Sequence, residues 1–198
     1  MKNLLASLLL ILTLTGCLPV SQNPLSSPEN AGTDPRLVGV WYGKSGEDEI
    51  FLHFIQGAVL QVVEVDHEKK GGAHTTLYNV FVTVLGEQHY LNIREGKNKP
   101  YYLAHYQLKE GVLKISLMSD NSLAKAIKAG KLKGTVTGKP EDLDVTITDT
   151  TERLAGFVKK SETEKLFDQK FGTFKKVQLP PLSEGTKSAP KGKTKKKK

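Results

Sequence analysis

The chain is poor in the residues that build covalent or metal-bound frameworks, because it has a single cysteine, Cys17, among 198 residues. One thiol cannot close an intrachain disulfide, and the paired-cysteine spacings of structural zinc sites are missing. A loop clip of Asp66, His67 and His74 is the one metal arrangement left open. The sequence therefore predicts a fold that depends on its hydrophobic core, without a metal. The five histidines form no pair at the i, i+2 or i, i+4 spacing of a metal site; they are His53, His67, His74, His89 and His105.

Familiar catalytic motifs are also scarce. There is no Gly-x-Ser-x-Gly elbow and no phosphate-binding glycine loop, since Gly71 and Gly72 read as a turn. Glu47, Asp48 and Glu49 stand beside a glycine, which is typical of a solvated hairpin end. We expect no catalysis and no cofactor; the alternative is a hydrolase whose site a single sequence does not reveal.

Long hydrophobic runs are absent apart from one at the N-terminus. Lys2 gives that end a positive charge, and residues 4–14 are apolar apart from Ser7 and Thr13. This length and polarity suit the apolar region of a secretory signal and are short for a membrane-spanning helix.

Leu14, Thr15, Gly16 and Cys17 close this run, and the quartet resembles the signal box of bacterial lipoproteins. The resemblance implies that residues 1–16 are removed as a signal peptide. It also implies that the Cys17 thiol accepts a diacylglyceryl group and that the new N-terminus is acylated, for example with palmitate. Two or more acyl chains hold a protein stably at a bilayer, since each buried methylene contributes about 0.8 kcal/mol.

The residue after Cys17 bears on location. In the lipoprotein family an Asp there favours the inner membrane, whereas Leu18 permits export to the outer membrane of a two-membrane cell. We therefore expect a lipid-anchored protein of the bacterial cell envelope. Two alternatives are an uncleaved signal anchor over residues 4–20 and an ordinary signal peptide in which Cys17 is incidental.

The net charge of +8 belongs to the chain ends. Lys2 leaves with the signal, and seven lysines of the C-terminal tail account for the remainder, so residues 17–186 are neutral overall. A neutral body argues against specific nucleic-acid binding. The tail can contact anionic lipid, lipopolysaccharide or cell-wall polymer, or serve only as a solubilising terminus. Its lysines are Lys187, Lys191, Lys193, Lys195, Lys196, Lys197 and Lys198.

Composition divides the mature chain into three parts. Residues 17–35 contain several prolines among Ser, Asn and Gln, without apolar periodicity, and predict a flexible tether. Residues 36–178 predict one domain of ordinary size. Residues 179–198 are rich in Lys, Pro, Ser and Gly and predict a disordered tail.

Short apolar runs separated by turn residues dominate the domain and predict an antiparallel meander. The alternation is clearest where Leu113, Ile115 and Leu117 share one face. Candidate strands cover residues 37–42, 49–55, 58–65, 77–85, 89–94, 101–108, 112–118 and 171–177, with a hairpin over 134–137 and 144–148.

Two helices are predicted late in the chain. The first follows Asp120, Asn121 and Ser122, whose side chains can cap it, and ends at Gly130. The second begins at Asp149 in a capping-box arrangement, and Ser161 with Glu164 repeats the capping signal.

Gly39, Val40 and Trp41 open the first strand and resemble the Gly-x-Trp signature of lipocalins, in which the tryptophan plugs one end of an eight-stranded barrel. The domain is also similar to uncharacterised envelope lipoproteins with lipocalin-like domains. The chain departs from the lipocalin pattern in lacking a Thr-Asp-Tyr loop and a clear arginine partner for the tryptophan, since Arg153 falls on a helix. The resemblance implies a mainly β fold, an antiparallel up-and-down β-barrel of about eight strands with two late α-helices.

A polar and aromatic set falls on two adjacent predicted strands. If these side chains face inward, they line a barrel able to orient a small apolar or lipid ligand. If they face outward, they form the solvent face opposite Leu91 and Ile93. We expect a ligand-binding or envelope-assembly module, and the alternative is a structural interaction lipoprotein with a filled barrel. The set comprises Tyr90, Asn92, Arg94, Tyr101, His105 and Tyr106. The candidate lining residues are its first five members together with Trp41 of the first strand.

Overall fold

A computed structural model of the chain describes residues 18–45, 48–57, 59–67, 72–140 and 142–178. Strands predominate in it, and the helices come late. The elements in chain order are β1 (Val20–Ser21), β2 (Gly39–Ser45), β3 (Asp48–Ile55), β4 (Leu60–His67), β5 (Ala73–Leu85), β6 (Gln88–Arg94), β7 (Tyr102–Lys109), β8 (Val112–Leu117), α1 (Asp120–Lys128), β9 (Gly134–Lys139), β10 (Asp142–Ile147), α2 (Thr151–Lys160), α3 (Thr163–Leu166) and β11 (Gln169–Lys176).

Eight of the strands form a closed antiparallel barrel. Strands β2 to β8 pair in sequence order, and β11 returns to pair with both β8 and β2. Closure satisfies every strand edge with a neighbour, so that the barrel has no free edge. The predicted eight-stranded barrel is confirmed, and the predicted final strand over residues 171–177 is the one that closes it.

Large apolar side chains fill much of the barrel interior. Trp41, Phe54 and Phe174 are each at least 98 % buried, and Leu113 is fully buried. The Phe174 ring fits because two neighbours carry no side chain. A Cβ added at Gly43 would come within 2.5 Å of that ring, and one at Gly172 within 2.7 Å.

A second layer covers one outer face of the barrel. Strands β1, β10 and β9 form a small sheet, and helices α1, α2 and α3 complete the layer. Its buried side chains pack with the outward residues of β5, β6 and β7 into a core separate from the one inside the barrel. Strands β5–β7 therefore bury apolar side chains on both of their faces.

The late helices differ in detail from the prediction. The described residues contain three late α-helices rather than two, because a short helix, α3, follows α2. Its N-cap is Glu162, without a side-chain cap, and the Ser161 hydroxyl donates instead to the Phe157 carbonyl at 2.8 Å. Helix α2 is capped by the Thr150 side chain rather than by Asp149. Asp149 is 1 % exposed and instead accepts hydrogen bonds from the backbone N–H of Lys133, at 3.0 Å, and from Arg153, at 2.9 Å.

The prediction of a flexible tether over residues 17–35 is wrong from residue 18 onward. Leu25 is 1 % exposed, and Gly32 forms a two-way backbone bridge with Val82 of β5. Two short 3-10 helices, Pro28–Asn30 and Pro35–Leu37, lead the chain across the barrel. Residues 18–37 therefore form a strap on the barrel, because long-range contacts that composition does not reveal hold them there.

Several predictions fall outside the described residues. These are the signal peptide over residues 1–16, the lipid site at Cys17 and the lysine-rich tail over residues 179–198. Within the described ranges, no helix combines the length and apolar character needed to cross a membrane.

Candidate ligand-binding site

The barrel interior contains a cavity of about 160 Å³. Its walls are apolar apart from one carboxyl group and two phenol groups. The cavity is lined by Leu18, Leu52, Phe54, Val62, Glu64, Tyr78, Val80, Leu91, Ile93, Tyr102, Ile115, Leu117 and Phe171.

The alternation of strand side chains explains why these residues meet. In β4, Leu60, Val62 and Glu64 share the inward face, and the register places Val62 opposite Tyr78 of β5. Ile93 of β6 pairs with Tyr102 of β7 in the same way. Neighbouring inward positions on successive strands therefore form a continuous wall.

The cavity lies toward one end of the barrel, which we call the open end. There β4, β6 and β8 end and β5, β7 and β11 begin. Glu64, Tyr78, Tyr102 and Phe171 are only partly buried at this end. Leu18 borders the cavity from outside the strands and is 43 % exposed. The cavity thus reaches the barrel mouth on the side where the described chain begins.

Glu64 is the one ionisable carboxyl in the cavity wall. Burial raises the pKa of Glu64, the hydrogen bond donated by the Tyr78 hydroxyl opposes that rise, and the nearby Asp66 charge adds to it. Burial and the Glu64 charge together raise the pKa of Tyr78 above its ordinary value. Because charge is disfavoured here, this pair is suited to hydrogen bonding with a ligand rather than to holding a free ion.

The other end of the barrel, which we call the closed end, is filled. The Trp41 indole N–H donates to the Leu37 carbonyl at 2.6 Å, so that the 3-10 helix Pro35–Leu37 is drawn over the barrel. Leu37 is fully buried beneath it. Trp41 is therefore a plug and does not line the cavity.

A buried carboxylate fastens the strap at the closed end. Asp34 accepts from the Arg36 Nε at 2.8 Å and Nη2 at 2.6 Å, and from the Tyr106 hydroxyl at 2.9 Å. The Arg36 hydrogen bonds lower the pKa of Asp34 to about 2, against the effect of burial. Burial and the Asp34 charge raise the pKa of Tyr106.

Contacts with Lys176 explain why a glycine precedes Trp41 by two residues in this chain. Lys176 of β11 places its Nζ 5.3 Å from the centroid of the Trp41 ring and donates to the Arg36 carbonyl at 3.2 Å. Its stem crosses Gly39, where an added Cβ would lie 3.0 Å from the Lys176 Cε, and Gly39 has φ +125°. A lysine on the last strand thus supplies the cation near Trp41, in place of the arginine partner expected from the lipocalin pattern.

The five other candidate lining residues do not line this cavity, which corrects the inward alternative. Their strand positions alternate with those of Leu91, Ile93, Tyr102 and Ala104, so they project from the outer face of the barrel. The outward alternative correctly gives the face of the barrel on which these side chains lie. It is wrong that this face is exposed to solvent, because the second layer covers most of it. Tyr90, Asn92, Tyr101 and His105 are at least 92 % buried, and Arg94 is half-buried.

These residues attach the strap and the helices to the barrel. The Asn92 side chain accepts from the Leu25 backbone N–H at 2.7 Å and donates to Thr83 Oγ1 at 2.8 Å. Thr83 Oγ1 also lies 2.6 Å from Ser26 Oγ. Asn92 is fully buried, so leaving its partners unpaired is costly.

The aromatic members of the set pack toward the helical layer. Tyr90 lies 5.2 Å from Phe167 between ring centroids, and its hydroxyl is 3.3 Å from Thr163 Oγ1. His105 Nε2 lies 2.8 Å from Gln88 Oε1, and burial lowers the pKa of His105. The Arg94 guanidinium carbon lies 4.7 Å from the Tyr101 ring centroid. These residues therefore help to pack the helical layer and the strap against the barrel.

The structure does not assemble the metal clip considered from the sequence. Asp66 and His74 face each other across β4 and β5, whereas His67 occupies the alternate face and packs its ring 5.9 Å from Phe51. Among the described residues, no three His, Cys, Asp or Glu side chains are grouped as a metal site.

One catalytic spacing also occurs and was missed, the Ser-x-x-Lys of Ser122 and Lys125 on α1. The Ser122 hydroxyl donates to the Lys165 carbonyl at 2.9 Å, and the Lys125 side chain is exposed. A hydroxyl engaged in this way, beside a solvated ammonium, is not an activated nucleophile.

Sequence reasoning also missed the polar residues of the cavity wall. Glu64 lies on the same strand face as the apolar residues Leu60 and Val62. A carboxyl group on an otherwise apolar inward face was the sequence signal for a polar residue in the cavity wall. Tyr78 continues the inward face of β5 in the same manner.

The size of the cavity defines what it can hold. A dry apolar cavity of about 150 Å³ accommodates benzene. The cavity of about 160 Å³ thus has room for an apolar group of roughly six carbon atoms. Closed antiparallel barrels of this kind are typical of binding proteins. No family model, curated protein or solved structure matches the chain.

Proposed function

We propose that this chain is a lipid-anchored protein of the bacterial cell envelope whose barrel binds one small apolar or amphipathic molecule. The apolar cavity with a single hydrogen-bonding pair, Glu64 and Tyr78, carries the binding part of this proposal. The signal box ending at Cys17 supports the anchor. No catalytic step is assigned to the site.

The cavity wall favours a particular kind of ligand. Its volume of about 160 Å³ suits a hydrocarbon portion of about six carbons, by comparison with cavities that hold benzene. Glu64 accepts hydrogen bonds when ionised, and the phenols of Tyr78 and Tyr102 both donate and accept. A hydroxyl or amine end group therefore fits at the mouth, whereas a carboxylate meets the Glu64 charge.

The alternative function is a structural interaction lipoprotein that contacts envelope partners through its surface and basic tail. The filled closed end favours it, since Trp41 and Leu37 leave no room there. In that case the remaining cavity is a packing defect and carries no ligand.

Calorimetric titration with straight-chain primary alcohols, from butanol to decanol, distinguishes these functions. If the cavity is a binding site, affinity rises about fourfold per added methylene, because each buried methylene contributes about 0.8 kcal/mol. The rise should continue to about six carbons and then weaken as the chain leaves the cavity.

Val62→Phe supplies the matched control, since it places a ring inside the cavity while keeping the strand apolar. This variant should bind no alcohol. Equal binding by Val62→Phe, or affinity independent of chain length, would reject the binding function. Native mass spectrometry of protein from its own cells then identifies the natural passenger, and palmitate labelling lost in Cys17→Ser tests the anchor.

A further inference from the structure

The proposed lipid site is adjacent in sequence to a residue that lines the cavity. Leu18 lines the cavity from outside the strands, and Cys17 directly precedes it. Consecutive Cα atoms are about 3.8 Å apart. The proposed lipid site therefore immediately precedes, in the sequence, a residue that borders the barrel mouth.

The chain is fixed immediately after this point. Ser21 is fully buried, its N–H donates to the Tyr101 carbonyl at 2.8 Å, and its carbonyl accepts from the Tyr101 N–H at 2.7 Å. The next residue, Gln22, donates to the Ile147 carbonyl at 2.9 Å. Four residue spacings separate Ser21 from Cys17, which gives a leash of at most about 14 Å.

A leash of that length distinguishes the two ends of the barrel. Strand β6, with seven residues, spans roughly 23 Å between the open and closed ends at about 3.3 Å per residue. The leash starts at the open end, because Ser21 pairs with Tyr101 just before β7 begins. A lipid at Cys17 can therefore bring only the open end to the headgroups.

We infer that the lipid at Cys17 holds the open end of the barrel against the bilayer, so that the cavity exchanges its ligand directly with the membrane. The occupant is the apolar end of a bilayer amphiphile, with its polar end at Glu64 and Tyr78. This inference rests on the proposed anchor and deepens the proposed binding function. Such an amphiphile moves from bilayer to barrel without its apolar part crossing water.

Site-specific fluorescence in vesicles tests the orientation. Asn98→Cys labels an exposed loop at the open end, and Glu87→Cys labels an exposed turn at the closed end. Each lipidated variant is labelled with a polarity-sensitive nitrobenzoxadiazole dye and placed in phosphatidylethanolamine and phosphatidylglycerol vesicles carrying headgroup spin labels. Quenching should be several-fold stronger at residue 98 than at residue 87.

A longer leash provides the control. Inserting a Gly/Ser segment of about twelve residues between Cys17 and Leu18 adds a reach of roughly 19 Å and should equalise quenching at the two positions. Equal quenching with the natural leash, or stronger quenching at residue 87, would overturn the inference. So would a lipidated protein that shows no quenching at residue 98, as expected if the acyl chain of Cys17 itself occupied the cavity.

The same samples separate this inference from the proposed function. Alcohol binding and palmitate labelling are measured on each preparation. If both are present and quenching is equal, the orientation fails and the proposed function stands. If labelling is absent, the anchor and the orientation fail together.

Discussion

The two ends of the barrel use the same strands for opposite purposes. At the closed end, Trp41 and Leu37 fill the interior, and Asp34 with its partners fastens the strap. At the open end, the inward side chains leave a cavity, and Glu64 and Tyr78 are partly buried in its wall. The comparison teaches that one barrel can be packed at one end and hollow at the other. We expect the closed end to contribute more to stability, because its side chains are more completely buried.

Trp41→Ala should produce the largest effect. It removes a 99 % buried indole and the hydrogen bond to Leu37, and should lower the free energy of unfolding by about 3–5 kcal/mol. Phe171→Ala at the open end, where the ring is partly exposed, should cost less than half as much. Urea unfolding measures both variants. Similar losses at the two ends would show that the open end is equally important for stability.

Asp34 should make the closed end sensitive to acid. Its pKa is about 2 in the folded protein and 3.8 ordinarily, so the unfolded chain takes up the proton first as the pH falls. The stabilisation is complete above about pH 4, is lost toward pH 2, and amounts to about 2 kcal/mol. Thermal unfolding at several pH values should show a smaller loss over this window for Asp34→Asn. An unchanged pH profile in that variant would contradict this role.

Lys176 should contribute less than Asp34. Lys176→Gln removes the cation over Trp41, and an exposed cation–π contact contributes about 0.5–1 kcal/mol. Lys175→Gln, an exposed neighbour on β11, is the matched control and should leave stability unchanged. Chemical denaturation of the two variants measures the difference. Equal stabilities would show that the contact between Lys176 and Trp41 does not stabilise the closed end.

Glu64→Gln should have the smallest effect on stability, and it tests whether the carboxyl group at the open end contributes to the fold. Because the pKa of Glu64 is raised by burial, the folded state holds its proton to higher pH than the unfolded chain, and stability falls as the pH rises through that interval. Glutamine removes this dependence and should stabilise the protein slightly at neutral pH. Glu95→Gln, in an exposed loop, should change nothing. A stability loss in Glu64→Gln would mean that the carboxylate is needed for the fold.

Local pattern was sufficient for the antiparallel meander, and the resemblance of Gly39, Val40 and Trp41 to the lipocalin signature added the eight-stranded barrel. The alternation of Leu113, Ile115 and Leu117 identified an inward face, and the turn residues separated one strand from the next. Closure by β11 followed from a single apolar run after the helices. These features depend on neighbours in sequence, which is why the sequence alone could predict them.

The second layer could not be predicted in the same way. Period-two alternation separates Asn92 and Tyr90 from Leu91, but it does not say which face is covered by helices. Leu25 is a single apolar residue among Pro and Ser, and its burial depends on Asn92, which lies 67 residues away. The cavity depends on the combined size of inward side chains from all eight strands, a property that no single segment carries.

The strap has a practical consequence for anyone who prepares a soluble form of this protein. Truncating the gene at residue 36, where composition would suggest that the globular unit starts, discards Leu25 and the strap's hydrogen bonds. Asn92 and Tyr101 then lose their backbone partners, and Thr83 loses the Ser26 hydroxyl. The product would expose an apolar surface on β5–β7 and be prone to precipitation. Starting the recombinant chain at Leu18 retains that cover and omits the predicted signal peptide and the proposed acylation site at Cys17.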